Sequence, residues 1–492
     1  MFEGAEIGAH LDKQEYEKAL PELRVDLVNA QYDLREANFP VLVVVVGDDR
    51  RSVSEAVNQL NEWMDARYVG TQVFGALTDE EQRHPRFWRY WRALPGRGEL
   101  AIYTGVWVLA TIGERLTDAI DDKEFDRRLS HMTRFEQALV DDGALVFKFW
   151  IHLPKDQLKK RLKKARKHEG SSRLNALDAA IYERYDEVMK LSQQLMRKTN
   201  VGEAPWQIIE SSDDRHRDLT LARSILAGVS AHLERARAGA APQLPVAPHT
   251  PSPNLLGTID LGAKLSRPEY KQQRDALQAR LRGLSVRARE QGVASVIAFE
   301  GRDAAGKGGV IRRLSGAMDV DDYRIVPIGV PTDEELRHHY LWRFWRQLPR
   351  DGRMVIFDRS WYGRVLVERV EGLVDEATVR RAYAEINDFE EQLVEEGVLL
   401  LKFWLHIDDD EQARRFEARE QTPYKKYKIT DEDYRNRAHW GEYERAVNEM
   451  MARTSTELAP WRLVPANNKG YARVDVLRTV CDGLAQLMGE ES

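Results

Sequence analysis

Along the second half of the chain, short apolar or β-branched runs alternate with longer stretches whose apolar residues recur at helical spacing. The runs are Val293 to Glu300, Tyr323 to Val330, Arg353 to Asp358, Val398 to Ile407 and Trp461 to Ala466. Runs of this length separated by helical patterns predict parallel strands joined by crossover helices, an α/β fold. Strands apolar on both faces are expected to be buried between helix layers. Ligands in such sheets sit beyond the carboxyl ends of the strands, so chemistry is expected there. The longest apolar run, Val41 to Val46, is far shorter than the roughly 20 residues that cross a bilayer.

The pattern occurs twice. Thr78 to Pro95 returns as Thr332 to Pro349, 254 positions later, with 12 of 18 residues identical. The same offset aligns Gly47 with Gly301, Lys148-Phe149-Trp150 with Lys402-Phe403-Trp404, and His152 with His406. With one inserted residue, Ala204-Pro205-Trp206 aligns with Ala459-Pro460-Trp461. A repeat of about 220 residues is a whole domain rather than a solenoid unit. Domains are therefore expected over residues 1–237 and 258–492. Between them Ala238 to Gly257 carries five prolines and no charged residue, which predicts a semi-extended tether.

Composition narrows the function. The 492 residues carry 74 Lys and Arg against 80 Asp and Glu, a net charge of −6. Such a chain does not coat nucleic acid, and any polyanion must meet a local basic patch. One cysteine, Cys481, excludes an intrachain disulfide and a four-thiolate zinc site and fits a reducing compartment. The first 20 residues do not read as a secretory signal, and a cytoplasmic protein away from membranes is expected.

Directly after the first run of the second copy stands Gly301-Arg302-Asp303-Ala304-Ala305-Gly306-Lys307-Gly308-Gly309, followed by the helical stretch from Val310 to Met318. A glycine-rich turn from strand to helix is phosphate-loop architecture. The backbone N–H groups of Gly301, Ala304, Ala305, Gly306 and Gly308 are expected around phosphate oxygens, with the helix dipole behind them and the Lys307 charge on the transferring group. The usual Ser or Thr after the lysine, a Mg²⁺ ligand, is here Gly308. Asp303 in the loop and Asp358 at the end of the third run are the candidate ligands, since paired carboxylates with water and phosphate oxygens suit octahedral Mg²⁺. Arg359 and Arg364 are placed to reach phosphate oxygens, although Arg364 fits a helix surface equally well. Arg414, Arg415 and Arg419, then Lys425, Lys426 and Lys428, form either a basic lid over the donor or a solvated helix face. Trp342, Trp345, Trp404, Trp461, His338 and His339 read as core.

Carried back by 254 positions, the loop becomes Gly47-Asp48-Asp49-Arg50-Arg51-Ser52-Val53-Ser54. Val53 stands for the lysine, Thr104 for Asp358 and Gly105 for Arg359, so the first copy is not expected to transfer phosphate by the same mechanism. It has nine cationic residues against two acidic ones over 155–173, from Lys155 to Arg173, either a polyanion track or a solvated face.

Together, Phe299 to Gly309, Phe357 to Arg364 with the following Val367 to Gly372, Arg453 to Trp461 and Ala466 to Arg473 resemble the second family of polyphosphate kinases in its two-domain form, the polyphosphate:AMP phosphotransferases. The resemblance covers all of the second copy and, in degenerate form, the first. It implies a thymidylate kinase-type P-loop fold with a helical lid. It implies that Gly301, Gly306 and Lys307 bind phosphates, that Asp303 and Asp358 position Mg²⁺, and that Arg359, Arg415 and Arg419 contact the transferring group. Inorganic polyphosphate as donor, AMP as acceptor and a homo-oligomer follow from the same likeness. Single-domain members carry Asn where Gly363 stands. Polyphosphate-dependent phosphorylation of a nucleoside diphosphate, an ATP-dependent nucleoside monophosphate kinase and a non-catalytic P-loop switch are the other readings of these residues.

Overall fold

A computed structural model describes residues 1–168, 182–238, 253–422 and 431–489. Its first compact unit comprises Met1–Leu77, Ala93–Gln243 and Leu336–His339, its second Thr78–Arg92, Leu244–Glu335 and Tyr340–Ser492.

The first unit is built on β1 (Val41–Gly47), β2 (Val69–Val73), β3 (Leu100–Thr104), β4 (Leu145–His152) and β5 (Trp206–Glu210), in the order β2-β3-β1-β4-β5. The second uses β6 (Ser295–Gly301), β7 (Tyr323–Pro327), β8 (Met354–Asp358), β9 (Leu399–His406) and β10 (Trp461–Pro465), in the order β10-β9-β6-β8-β7. Read from its other end, the second sheet repeats the first. Every pairing is parallel, and even the register recurs: Val41 faces Leu100 in one sheet as Ser295 faces Met354 in the other. The α/β expectation holds, and each predicted run matches its strand to within three residues at either end.

The central strands are buried because both faces are covered. Val41, Val43 and Val45 pack with Phe149, Leu221 and Ile225, while Ile297 and Phe299 pack with Phe403, Leu405 and Leu477. The edge strand β7 departs from the expected burial, since Arg324, Ile325 and Pro327 are exposed. An edge position leaves one side without a neighbouring strand, and a charge there limits stray pairing.

Each unit buries a Lys–Glu pair at equivalent positions. Lys148 and Glu136 lie 2.7 Å apart in one unit, Lys402 and Glu390 2.7 Å apart in the other. Lys402 also donates to the Tyr362 hydroxyl at 2.9 Å and the Thr454 carbonyl at 2.7 Å. Burial pushes the Glu390 carboxyl up and the Lys402 ammonium down, so removing one partner costs about 3–5 kcal/mol.

The tether expectation fails at its carboxyl end. Leu256 is buried, and its N–H donates to the Asn448 side chain at 3.0 Å. Residues 239–252 lie outside the described ones. Among the described residues no helix is long and apolar enough to cross a membrane.

Candidate active site

The carboxyl end of β6 fixes the site. At Gly301 the chain passes so close to β9 that a Cβ would lie 2.5 Å from the Leu405 carbonyl oxygen, and φ is +147°. Only glycine fits that approach. Gly306 caps the helix Lys307–Ser315, whose first residues, Lys307 to Val310, line the larger cleft. Lys307 donates from Nζ to the Gly301 carbonyl at 2.8 Å, which folds its ammonium back over the loop.

Next to it, β8 delivers Asp358 and Arg359. The Arg359 N–H donates to the Phe299 carbonyl at 3.0 Å, and its guanidinium lies 3.5 Å from Asp303. Glu300, buried at the end of β6, accepts from the Ser360 N–H at 2.7 Å and its hydroxyl at 2.8 Å. Burial raises the Glu300 carboxyl pKa, against the opposing pull of Lys307 and Arg359. This clamp locks the turn after β8 to the turn after β6. The turn is strained: Arg359 has φ +65°, and Ala304 in the loop has φ +62°. Side chains other than glycine hold such values at a cost of order 1–3 kcal/mol and cluster at functional sites.

Two clefts meet here. The larger, about 1430 Å³, runs along the loop and is lined by eight Lys or Arg residues and two aspartates, Asp303 and Asp358. The smaller, about 610 Å³, is walled by Gly363, Leu366, Val367, Trp404, Trp440 and Tyr443. Arg302, Asp303 and Arg359 line both. Among the described residues no three His, Cys, Asp or Glu side chains group as a metal site. Asp303 and Asp358 nevertheless offer hard oxygen donors beside the phosphate loop, the donor set of a Mg²⁺ whose other ligands are water and substrate oxygens.

Comparison with known proteins supports the same reading. The model of the polyphosphate kinase 2 family matches residues 10–237 and again 264–491. A polyphosphate:AMP phosphotransferase of Pseudomonas aeruginosa is 48% identical over 488 residues, 98% of each chain. One from Pseudomonas syringae pv. tomato is 46% identical over 495 residues, covering 100% of this chain and 99% of the relative. A crystal structure described as a polyphosphate kinase 2 from Pseudomonas aeruginosa matches with a TM-score of 0.90 and 45% identity, covering 100% of both chains. The chain belongs to the polyphosphate kinase 2 family.

In this polyphosphate kinase 2 family member, Asp303, Lys307, Asp358 and Arg359 line the larger cleft together with Ala304, Ala305, Gly306 and Gly308, and Gly301 lines the smaller one. Two expectations change. Arg415 on the helix Asp409–Glu420 was expected on phosphate, but all five of its N–H donors serve the protein. Nη1 bonds the Ala304 and Ala305 carbonyls at 3.0 and 2.8 Å, Nη2 those of Ala466 and Asn467 at 2.7 and 3.0 Å, and Nε bonds Glu411. It braces the loop through these bonds while still lining the larger cleft. Arg364 also leaves the phosphate path: it pairs with Glu368 at 3.2 Å and lies over the Tyr340 ring at 4.5 Å, outside both clefts. Arg419 does face the larger cleft. Arg414 is exposed, and Lys425, Lys426 and Lys428 lie outside the described residues.

Sequence reasoning missed Arg302, Arg312, Lys469 and Arg473, which the fold brings to the larger cleft from three separate stretches of chain. The Lys469 and Arg473 pair sits in the Ala466 to Arg473 motif, which was the available signal. Of the residues assigned to core, Trp342, Trp345, Trp404, Trp461 and His339 are buried, Trp404 also walls the smaller cleft, and His338 is only half-buried.

Proposed function

We propose that the second copy transfers the terminal phosphoryl group of inorganic polyphosphate to AMP, giving ADP. One observation carries the reading: a long cationic cleft and a smaller, partly aromatic cleft join at Arg302, Asp303 and Arg359. A chain of phosphates suits the first. A nucleoside monophosphate suits the second, its base against aromatic and aliphatic walls and its phosphate toward the junction. The full-length likeness to polyphosphate:AMP phosphotransferases points to the same substrates.

The reaction follows from charge and position. An oxygen of the acceptor's α-phosphate attacks the terminal phosphorus in line as the bridging P–O bond breaks, and the shortened polyphosphate leaves with the bond's electron pair. Lys307 and Arg359 take up charge on the oxygens of the transferring group. The AMP phosphate is largely ionised near neutral pH, so no strong general base is required. Asp303 and Asp358 would hold Mg²⁺, which when bound supplies further neutralisation of phosphate charge. The first copy is read as silent, because Val53, Thr104 and Gly105 occupy the lysine, aspartate and arginine positions. The lone buried Cys481 suits a cytoplasmic location.

The test omits nucleoside triphosphate. AMP, Mg²⁺ and polyphosphate alone yield ADP if the reading holds, and a strict requirement for ATP as donor overturns it. Replacing AMP by ADP or GMP in the same assay measures acceptor choice.

A further inference from the structure

Arg302 is a buried cation with no contact ion pair among the described residues; the Glu444, Asp303 and Asp409 carboxylates act on it only from farther away. It is 7% exposed, and among the described residues its Nε and Nη2 have no hydrogen-bond partner and no carboxylate forms an ion pair with it. Its guanidinium lies 3.7 Å from the centre of the Trp440 ring. A buried charge left in this state is costly unless something anionic completes it. The structure holds the side chain at the seam between the two clefts, which it lines on both sides.

The first unit carries the opposite solution at the equivalent residue. Asp48 stands 254 positions before Arg302, and its carboxylate is filled by His152 at 2.5 Å, the Leu153 N–H at 2.8 Å and Trp150 at 3.3 Å. An internal anion there has its donors within the fold. At Arg302, two of the donors have no acceptor within the described residues.

We infer that Arg302 is the residue that receives the α-phosphate of the acceptor nucleotide and selects a nucleoside monophosphate over a neutral nucleoside. The inference rests on the reading of the smaller cleft as the acceptor site. Trp440 holds the guanidinium by cation–π contact, so little rotamer freedom is lost on binding. A cation at the seam also offsets repulsion between acceptor phosphate and the terminal phosphate of the donor, which must approach to about 3–3.5 Å for attack.

Isothermal titration of the full chain with AMP, adenosine and tripolyphosphate tests this with three variants. Arg302→Gln is expected to weaken AMP binding about tenfold to a hundredfold, the loss of one charge-assisted bidentate contact. Adenosine and tripolyphosphate affinities are expected to change less than about threefold. Arg302→Lys restores part of the AMP affinity. Without ligand, Arg302→Gln does not lower the melting temperature, because it removes an unpaired buried charge. Equal losses for AMP and adenosine, or a lowered melting temperature with all three affinities reduced, would make Arg302 a structural residue and overturn the inference. Val367→Trp, which fills the smaller cleft, separates the two readings. If it leaves AMP binding intact, the acceptor lies elsewhere and both fall. If it abolishes AMP binding while Arg302→Gln spares it, only the assignment of Arg302 falls.

Discussion

The two phosphate-loop positions share a preceding strand and a following helix, yet they end in opposite states. In the second unit the helix begins at Lys307, leaving Ala304 to Gly306 as a loop that lines the cleft. In the first the helix begins at Arg50, three residues earlier in the alignment, so the matching Arg50 to Ser52 are already helical. Asp49 caps that helix through the Ser52 N–H, and Arg161 closes on both at 2.6 and 2.5 Å. Arg161 aligns with Arg415. One arginine braces an open loop through carbonyls; the other seals a closed one through a carboxylate and a hydroxyl.

The neighbouring positions repeat the lesson. Gly105 and Arg359 both have φ +65°. The first copy puts glycine where the backbone demands it, and the second tolerates strain to keep a guanidinium at the cleft. Trp150 and His152, which align with Trp404 and His406, are covered by the amino-terminal segment. Phe2 stacks on His152 at 4.7 Å, and Glu6 bonds its ring at 3.0 Å. In the second unit Trp404 instead walls an open cleft.

Substitutions at paired positions sharpen this contrast. Lys307→Ala is expected to cut turnover with AMP and polyphosphate by about 10³-fold or more with the circular dichroism spectrum unchanged. Asp358→Asn should cost about 10²-fold or more, partly recovered by raised Mg²⁺. Near-normal rates in either variant would place the reaction outside the second copy.

The equivalent histidines are expected to respond to pH in opposite directions. Burial, then the nearby Arg302 charge, lowers His406 to about 4. Its folded value lies below the unfolded one of about 6.5, so stability is intact above that pH and falls as pH drops toward 4, by roughly 3 kcal/mol in the limit. For His152 burial opposes the charge, but the Asp48 and Glu6 carboxylates prevail and raise it. Its contribution is present below about pH 6.5 and is lost as pH rises through the folded value. Denaturant melts of His406→Gln and His152→Gln across pH 4 to 9, read against the parent, check both slopes.

Arg415→Gln is expected to reduce turnover about tenfold by freeing loop carbonyls, while Arg161→Gln lowers stability by about 1–3 kcal/mol and leaves turnover unchanged. Smallest of all, Val53→Ala should shift turnover by less than about twofold, although truncating this buried side chain costs about 1–3 kcal/mol of stability. A large rate loss from either first-copy variant would show that the first unit takes part in the reaction.

Much of the site was legible because its residues are contiguous. Gly301 to Gly309 and Asp358-Arg359 each follow a strand directly, so strand and motif together place them at one sheet edge. The bonding of Arg415 was not legible, because helical spacing reports which face a residue lies on, not which acceptors await it. The partners of Arg364 were hidden for a similar reason: a turn after Arg359 carries its side chain toward Tyr340 and Glu368.

Alternating apolar runs, a repeat offset by 254 positions and a glycine-lysine loop were enough to determine two α/β domains, one of them with a phosphate-loop pattern. These features act through neighbours along the chain, where backbone geometry is local. Packing alone decided that Arg302, Arg312, Lys469 and Arg473 share one cleft, that Arg415 turns its donors to the loop, and that Phe2 covers the corresponding place in the first unit. Side-chain partners drawn from distant stretches depend on how helices lie on the sheet, and no spacing in one dimension encodes that.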